Sequence, residues 1–187
     1  MSFITTGGNI TSYADYLDIR GTDQRIFEAN TFDINNVPGA PADLDEYLED
    51  LATAATTRIN QKIKSSVRWR EYLGYATTQG YSSLETIPEF NPNLILSRQA
   101  DFTSMCVAYV LKEYLLPKVA DFGNPESPEV QKIQFYDNKF NDLFTELTNI
   151  FDYYDSDSDG SIQDDEKMVR FQATRRSRGR KPITRIR

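Results

Sequence analysis

One stretch of the chain has the residue types and the spacing of a calcium-binding loop. Residues 155–166 read "DSDSDGSIQDDE", which places carboxylates at positions 1, 3 and 5, a glycine at position 6 and a glutamate at position 12. Calcium takes about six to eight oxygen ligands, and loops of this kind supply them from positions 1, 3, 5, 7, 9 and 12. The spacing therefore predicts a calcium site with these ligands: Asp155, Asp157, Asp159, Ser161 through its backbone carbonyl, Gln163 through a water, and Glu166.

The same stretch has a plainer interpretation, which is a turn rich in Asp, Ser and Gly that matches the calcium pattern by chance. The loop stands alone, whereas calcium-sensor loops usually occur in pairs. The segment that follows, "DDEKMVRFQAT", has few apolar residues, so a regulated hydrophobic groove is not expected there. Any bound calcium is therefore expected to be structural, and to set the direction in which the chain leaves the loop. A helix is expected to lead into the loop and to end near Tyr154.

The composition of the chain argues against most other kinds of catalytic or metal-binding site. The chain has no histidine and one cysteine, Cys106, so it cannot form a disulfide within itself or a catalytic pair of histidine with serine or cysteine. The same composition argues against a zinc site of Cys and His ligands. Cys106 lies in the apolar run "MCVAYV", which predicts a buried hydrophobe rather than a reactive thiol. The sequence also lacks a phosphate-binding glycine loop. We therefore expect that the protein is not an enzyme.

Charge is divided unevenly along the chain. The 187 residues carry 21 basic and 28 acidic groups, but residues 167–187 hold nine of the basic groups and none of the acidic ones. Residues 1–166 therefore carry 12 basic and 28 acidic groups, a net charge of −16. Such a division indicates that the two parts contact different partners. Residues 167–187, the basic C-terminal arm, contain too little apolar surface to fold alone.

Three interpretations of the arm remain open. It could dock on an acidic protein surface, bind nucleic-acid phosphates with release of counterions, or be a solvated tail, and we favour docking on protein. Ile183 and Ile186 alternate with polar residues, which is typical of an extended strand that can add to a sheet edge. The candidate contact residues of the arm are these: Arg170, Arg175, Arg176, Arg178, Arg180, Lys181, Ile183, Arg185, Ile186 and Arg187.

Apolar residues recur at helical spacing through most of the chain and predict an all-α fold, a small helical bundle with an extended basic arm. Ser127 and Pro128 form a helix-start signal, and Pro117 is expected to end the helix before it. Residues 67–92 and 117–127 are rich in turn signals and are predicted to be connections. The predicted helices cover residues 23–30, 43–66, about 94–116, and 128–154.

These elements predict four parts along the chain. They are an N-terminal segment with a short helix (1–40), a helical bundle core (41–154), the calcium-type loop (155–166) and the arm (167–187). Trp69 lies between two arginines and has two open interpretations, an exposed interface anchor or a packing residue at a helix end. No apolar run approaches the roughly 20 residues of a membrane span, and the first residues lack a signal-peptide pattern. We therefore expect no membrane contact.

Several segments carry a resemblance to a known family. They are "TSYADYLDIRGTDQRIFEAN" at 11–30, "ATTRINQKIKSS" at 55–66, "VAYVLKEYLLP" at 107–117, and a closing helix followed by an arginine-rich arm. In these features the chain resembles the head–tail connector proteins (adaptor or head completion proteins) of tailed bacteriophages. The likeness covers residues 11–187 in architecture rather than in a diagnostic signature. Members of that family are small α-helical bundles that form a ring, usually of twelve copies, below the portal.

The resemblance implies a function and a set of partners. The arm would dock on the portal protein, and the acidic bundle would line or surround a channel through which packaged DNA passes without sequence-specific binding. A downstream neck or tail-completion protein would be the next partner, and the protein would lie in the neck of the virion after assembly in the host cytoplasm. The alternative from another class is a calcium-binding interaction module, whose basic arm contacts nucleic acid or an acidic protein.

Overall fold

A computed structural model of the chain describes residues 3–28, 32–76, 86–124 and 126–163. Its fold is mainly helical, which confirms the predicted class, but it also contains a small antiparallel hairpin that was not predicted. The arm and Glu166 lie outside the described residues. The elements in chain order are β1 (Ile4–Thr6), β2 (Asn9–Ser12), α1 (Tyr16–Thr22), α2 (Leu44–Ser65), α3 (Val67–Ala76), α4 (Gln99–Val110), α5 (Leu116–Val119) and α6 (Pro128–Ile150).

The two longest helices, α2 and α6, begin where their local signals predict. The Asp43 side chain accepts a hydrogen bond from the Asp45 N–H at 3.0 Å and caps α2. The Ser127 hydroxyl accepts one from the Val130 N–H at 3.3 Å and caps α6, with Pro128 in its first turn. Each cap satisfies a backbone donor that has no partner within the helix. The buried face of α2 consists of Tyr47, Leu48, Ala52, Ala55, Thr56, Ile59 and Ile63.

The helix predicted for about residues 94–116 differs from expectation at both ends. It begins at Gln99, and Pro117 does not end it, because the chain continues through a π-helical turn, Leu111–Leu115, into α5. In that turn the Leu116 N–H bonds to the Leu111 carbonyl, five residues back. A proline lacks an N–H and its ring collides with the carbonyl four residues before it. We attribute the survival of the helix to the wider turn, which removes both conflicts.

Three further predictions about elements were wrong. The stretch 67–92, predicted to be a connection, contains α3. The short helix predicted at 23–30 is a 3₁₀ turn over Gln24–Phe27, preceded by the unpredicted α1. The last helix ends at Ile150 rather than near Tyr154, because Phe151 adopts a left-handed conformation with φ 53° and its N–H bonds to the Leu147 carbonyl at 3.3 Å.

Helix α4 is the centre of the core and packs against both α2 and α6. Its Phe102 is fully buried among aromatic rings. The N-terminal segment belongs to the same core, because the Thr103 hydroxyl donates to the Tyr13 carbonyl at 2.7 Å and the Tyr13 N–H donates to the Thr56 hydroxyl at 3.0 Å. Within the described ranges, no helix combines the length and the apolar content that a membrane span requires.

The bundle has two ends that are distinguished by their contacts. At the first, the α5 end, Lys118 of α5 contacts the hydroxyl of Tyr47 near the start of α2. At the other, the α3 end, Arg98 before α4 pairs with Asp101, with Glu146 near the end of α6 and with Asp152 beyond it. Helix α6 runs between the two ends and is 23 residues long, so at about 1.5 Å per residue the ends lie roughly 33 Å apart.

Candidate metal-binding loop

The acidic loop starts at the α3 end of the bundle, and a short backbone bridge holds it there. Ile95 and Tyr154 form an isolated antiparallel bridge. Next to it, the Asp155 N–H donates to the Leu94 carbonyl at 2.9 Å and the Leu96 N–H donates to the Tyr153 carbonyl at 3.0 Å. The loop therefore follows an extended segment instead of a helix, which corrects the expected incoming helix.

A cluster of aromatic side chains lies directly under this bridge. Trp69 is 1 % exposed, its ring centroid lies 5.1 Å from that of Tyr154, and its indole N–H donates to the Pro88 carbonyl at 3.1 Å. Burial shows that Trp69 is a packing residue, and the alternative of an exposed interface anchor was wrong. Among the described side chains, the rings within 6 Å of Trp69 are those of Tyr72, Phe90, Phe151 and Tyr154.

Three of the predicted ligands come together in the structure. Asp155, Asp157 and Asp159 each place a carboxylate oxygen within 4.8 Å of the others, and Asp155 is only 2 % exposed while the other two are exposed. Ionised carboxylates this close repel each other, and a cation between them removes that repulsion. Oxygen-only donors of this kind suit hard cations such as Ca²⁺. The cluster could therefore hold a metal ion.

Asp155 also organises the backbone of the loop. Its two carboxylate oxygens accept hydrogen bonds from the Ser158 N–H at 2.7 Å and from the Gly160 N–H at 2.9 Å. Each oxygen has more than one lone pair, so both retain capacity for a cation. Gly160 has φ 88°, a conformation that favours glycine and makes the sharp turn expected at position 6.

The predicted ligands at positions 7 and 9 lie beside Asp159. The Ser161 backbone N–H and hydroxyl each donate to one Asp159 oxygen at 2.8 Å, and the Gln163 amide donates to the other at 2.7 Å. These hydrogen bonds lower the pKa of the Asp159 carboxyl below its ordinary value, those from Ser161 most, and so keep it ionised. Glu166, the predicted ligand at position 12, lies outside the described residues.

The cysteine behaves as the sequence predicts. Cys106 is fully buried on α4, and its sulfur lies 3.6 Å from the Ala52 carbonyl oxygen. Burial raises the pKa of the thiol to about 12, so the thiol stays protonated at neutral pH. A protonated and inaccessible thiol is a poor nucleophile and a poor metal ligand.

Arg98 is a positioning residue for the loop that sequence reasoning missed. It adopts a left-handed conformation with φ 57°, and its guanidinium lies 2.8 Å from the Asp101 carboxylate and 3.4 Å from that of Asp152. It also pairs with Glu146. Because Asp152 stands three residues before the loop, these ion pairs fix the chain that leads into it. Two of the partners lie 48 and 54 residues away, so no local pattern indicates them.

Comparison of the chain with protein-family models, with curated proteins and with solved structures finds no match.

Proposed function

We propose that the protein is a structural virion protein, a ring-forming head-to-tail adaptor in the neck of a tailed bacteriophage. In this proposal it docks on the portal through residues 167–187, continues the DNA channel towards the tail, and performs no catalysis. The resemblance over residues 11–187 supports it. The single observation that carries it is the charge division, with −16 on residues 1–166 and nine basic groups in the arm. A mainly helical body is compatible with the same function.

The surface of α2 is compatible with the lining of a DNA channel. Its first two turns hold five acidic residues in eight positions, and within the described part of the chain four of them have no ion-pair partner: Asp43, Glu46, Glu49 and Asp50. A wall with such unpaired carboxylates repels phosphate groups, whereas a basic wall binds them and retards their movement.

The assembled form tests this proposal. Electron microscopy of the neck should show copies of the protein in a closed ring below the portal, usually twelve in the family that it resembles. We expect carboxylates to dominate the lumen of that ring, because the body carries a net charge of −16. A lumen dominated by lysine and arginine would refute the proposed channel.

We also propose that the ion held by the loop is Ca²⁺ and that its role is structural. The support is the trio of carboxylates within 4.8 Å of each other together with the spacing of residues 155–166. Asp155 would supply the buried ligand, and Asp157 and Asp159 the exposed ones. The bound ion would link the later residues of the loop to Asp155, which the backbone bridge between Ile95 and Tyr154 already holds against the bundle.

Calcium is therefore expected to raise the thermal midpoint of unfolding. A ligand that binds only the folded form stabilises it by about 2.7 kcal/mol at a concentration 100 times its Kd. Asp155→Ala and Asp157→Ala should abolish the rise, while Asp142→Ala, an exposed carboxylate on α6, should keep it. The measurement is a thermal scan of each variant in calcium, in magnesium and in chelator. Equal midpoints of the unsubstituted protein in calcium and in chelator would show that the loop is only a turn.

The second candidate function is a calcium-binding interaction module, whose arm contacts nucleic acid or an acidic protein. The carboxylate trio favours it. Mass measurement in solution, alone and with portal rings, separates the two candidates. The module should stay monomeric or dimeric with portal rings present, and the adaptor should assemble on them.

A further inference from the structure

At the α5 end of the bundle, the described residues form a groove of about 700 Å³ that is lined by both apolar and polar side chains, which we call the α5 groove. Phe32, Val37, Pro38 and Val119 form its apolar lining. The polar residues that line it are Asp33, Asn36 and Lys118. A groove of this size and composition can accept a few aliphatic side chains.

The groove borders the most acidic part of α2. The Phe32 ring stacks on that of Tyr47 with centroids 6.2 Å apart. The Lys118 amine lies 5.0 Å from the centroid of the Tyr47 ring and donates a hydrogen bond to the Tyr47 hydroxyl. Asp43 and Asp50 stand one helical turn on either side of Tyr47 and lie on its face of α2. The border of the groove on α2 is therefore negative, whereas its described lining includes one cation, Lys118, which keeps its charge because its partner Tyr47 is neutral.

We propose that the α5 groove binds the protein's own basic C-terminal arm, with Ile183 and Ile186 in the groove and the arginines against the first turns of α2. Charge complementarity supports this occupant. The last ten residues, 178–187, combine the two isoleucines with five basic groups and no acidic one. Residues 43–50 hold five acidic groups and no basic one. The inference concerns the isolated protein and does not rest on the proposed adaptor function.

The arm is long enough to reach the groove within one molecule. The described chain stops at Gln163, in the loop at the α3 end, and Ile183 lies 20 residues further on. An extended chain of that length spans about 66 Å, twice the roughly 33 Å between the two ends of the bundle. Tethering gives the arm an effective concentration on the order of millimolar. Binding within one molecule is therefore favoured over exchange with a second copy.

A bound arm has a consequence for its other partners. Its basic groups are paired with carboxylates and its isoleucines are covered, so nonspecific contact with nucleic-acid phosphates is suppressed. A partner that binds the same isoleucines must displace the arm from the groove. The apparent affinity of the protein for that partner is then reduced in proportion to the fraction of molecules whose arm occupies the groove.

A cysteine pair in the full-length protein tests the contact. The double variant Asn36→Cys with Ile186→Cys places one thiol on the groove and one on the arm, and a disulfide forms only when their Cα atoms approach within about 7 Å. The native thiol of Cys106 is buried and does not interfere. The control pair is Thr145→Cys with Ile186→Cys, because Thr145 is exposed on α6 and lies closer to the origin of the arm.

Under mild oxidation we expect the pair of Asn36→Cys with Ile186→Cys to form a disulfide within one chain at least about tenfold faster than the control pair. A tenfold ratio corresponds to a free-energy preference of about 1.4 kcal/mol for the arm at the groove. High salt should reduce that advantage, because screening weakens exposed charge pairs. The double charge reversal Glu46→Lys with Asp50→Lys should reduce the same rate advantage at low salt. Equal rates for the two pairs, or a product that runs as a disulfide-linked dimer, would overturn the proposal. Portal rings are absent from the assay, so its result is independent of the adaptor function.

Discussion

Deletion of residues 170–187 is expected to leave a folded body that no longer attaches to portal rings. The core cluster of the described residues extends from Phe3 to Tyr154, so all of its side chains remain in the truncated chain. The deletion does remove every predicted contact residue of the arm, which the adaptor proposal requires for docking. Attachment is measured by co-sedimentation of the variant with portal rings, and folding by circular dichroism and thermal unfolding.

Two further measurements separate docking on protein from binding of nucleic acid. If the arm docks on protein, Ile183→Ala and Ile186→Ala should each weaken attachment by up to about 1.5–3 kcal/mol, the value of burying one aliphatic side chain. If it binds phosphates, affinity should fall with salt at a slope of about −0.9 per phosphate contacted and should not depend on the isoleucines. Attachment of the truncated protein at full strength would show that the docking-arm assignment is wrong.

Phe102→Ala is expected to destabilise the fold by about 3–5 kcal/mol, the usual cost of removing a buried phenylalanine ring. The Phe102 ring contacts those of Tyr13 at 5.1 Å, Tyr153 at 4.9 Å, and Phe3 and Phe90 at 6.4 Å. Its loss leaves a cavity where the N-terminal segment, α4 and the chain before the loop meet. A domain of this size has about 5–15 kcal/mol of stability in total, so the variant should be marginally stable. Denaturant unfolding measures the difference.

Phe135→Ala is the matched control, because it removes the same ring from α6 at a position that is 60 % exposed. Surface substitutions of this kind usually change stability by less than about 0.5 kcal/mol. Equal losses from the two variants would contradict the position of α4 at the centre of the core.

Much of the fold follows from local sequence signals. The starts of α2 and α6 depend on Asp43, Ser127 and Pro128, which act on backbone groups no more than three residues away. The apolar periodicity that predicts both helices also operates over three or four residues. Signals of such short range are present in the sequence whatever the rest of the chain does, so the helical class and these two helices could be predicted.

Features that depend on distant partners could not be predicted in the same way. The burial of Trp69 requires the rings of Phe90, Phe151 and Tyr154, which come together only when α3 packs beside the end of α6. Phe151 ends α6 in a left-handed conformation, and its ring is buried in a stack on that of Tyr72 with centroids 4.5 Å apart. Tertiary packing overrides the helical periodicity that continues to Tyr154.

The acidic loop combines both kinds of information. The sequence by itself determined which residues stand at the ligand positions, and it determined the turn at Gly160, because the spacing of a loop is a local property. Tertiary structure decided that Asp155 is buried while Asp157 and Asp159 face solvent. The physical reason is the bridge between Ile95 and Tyr154: it joins segments almost 60 residues apart and holds the first carboxylate of the loop against the core.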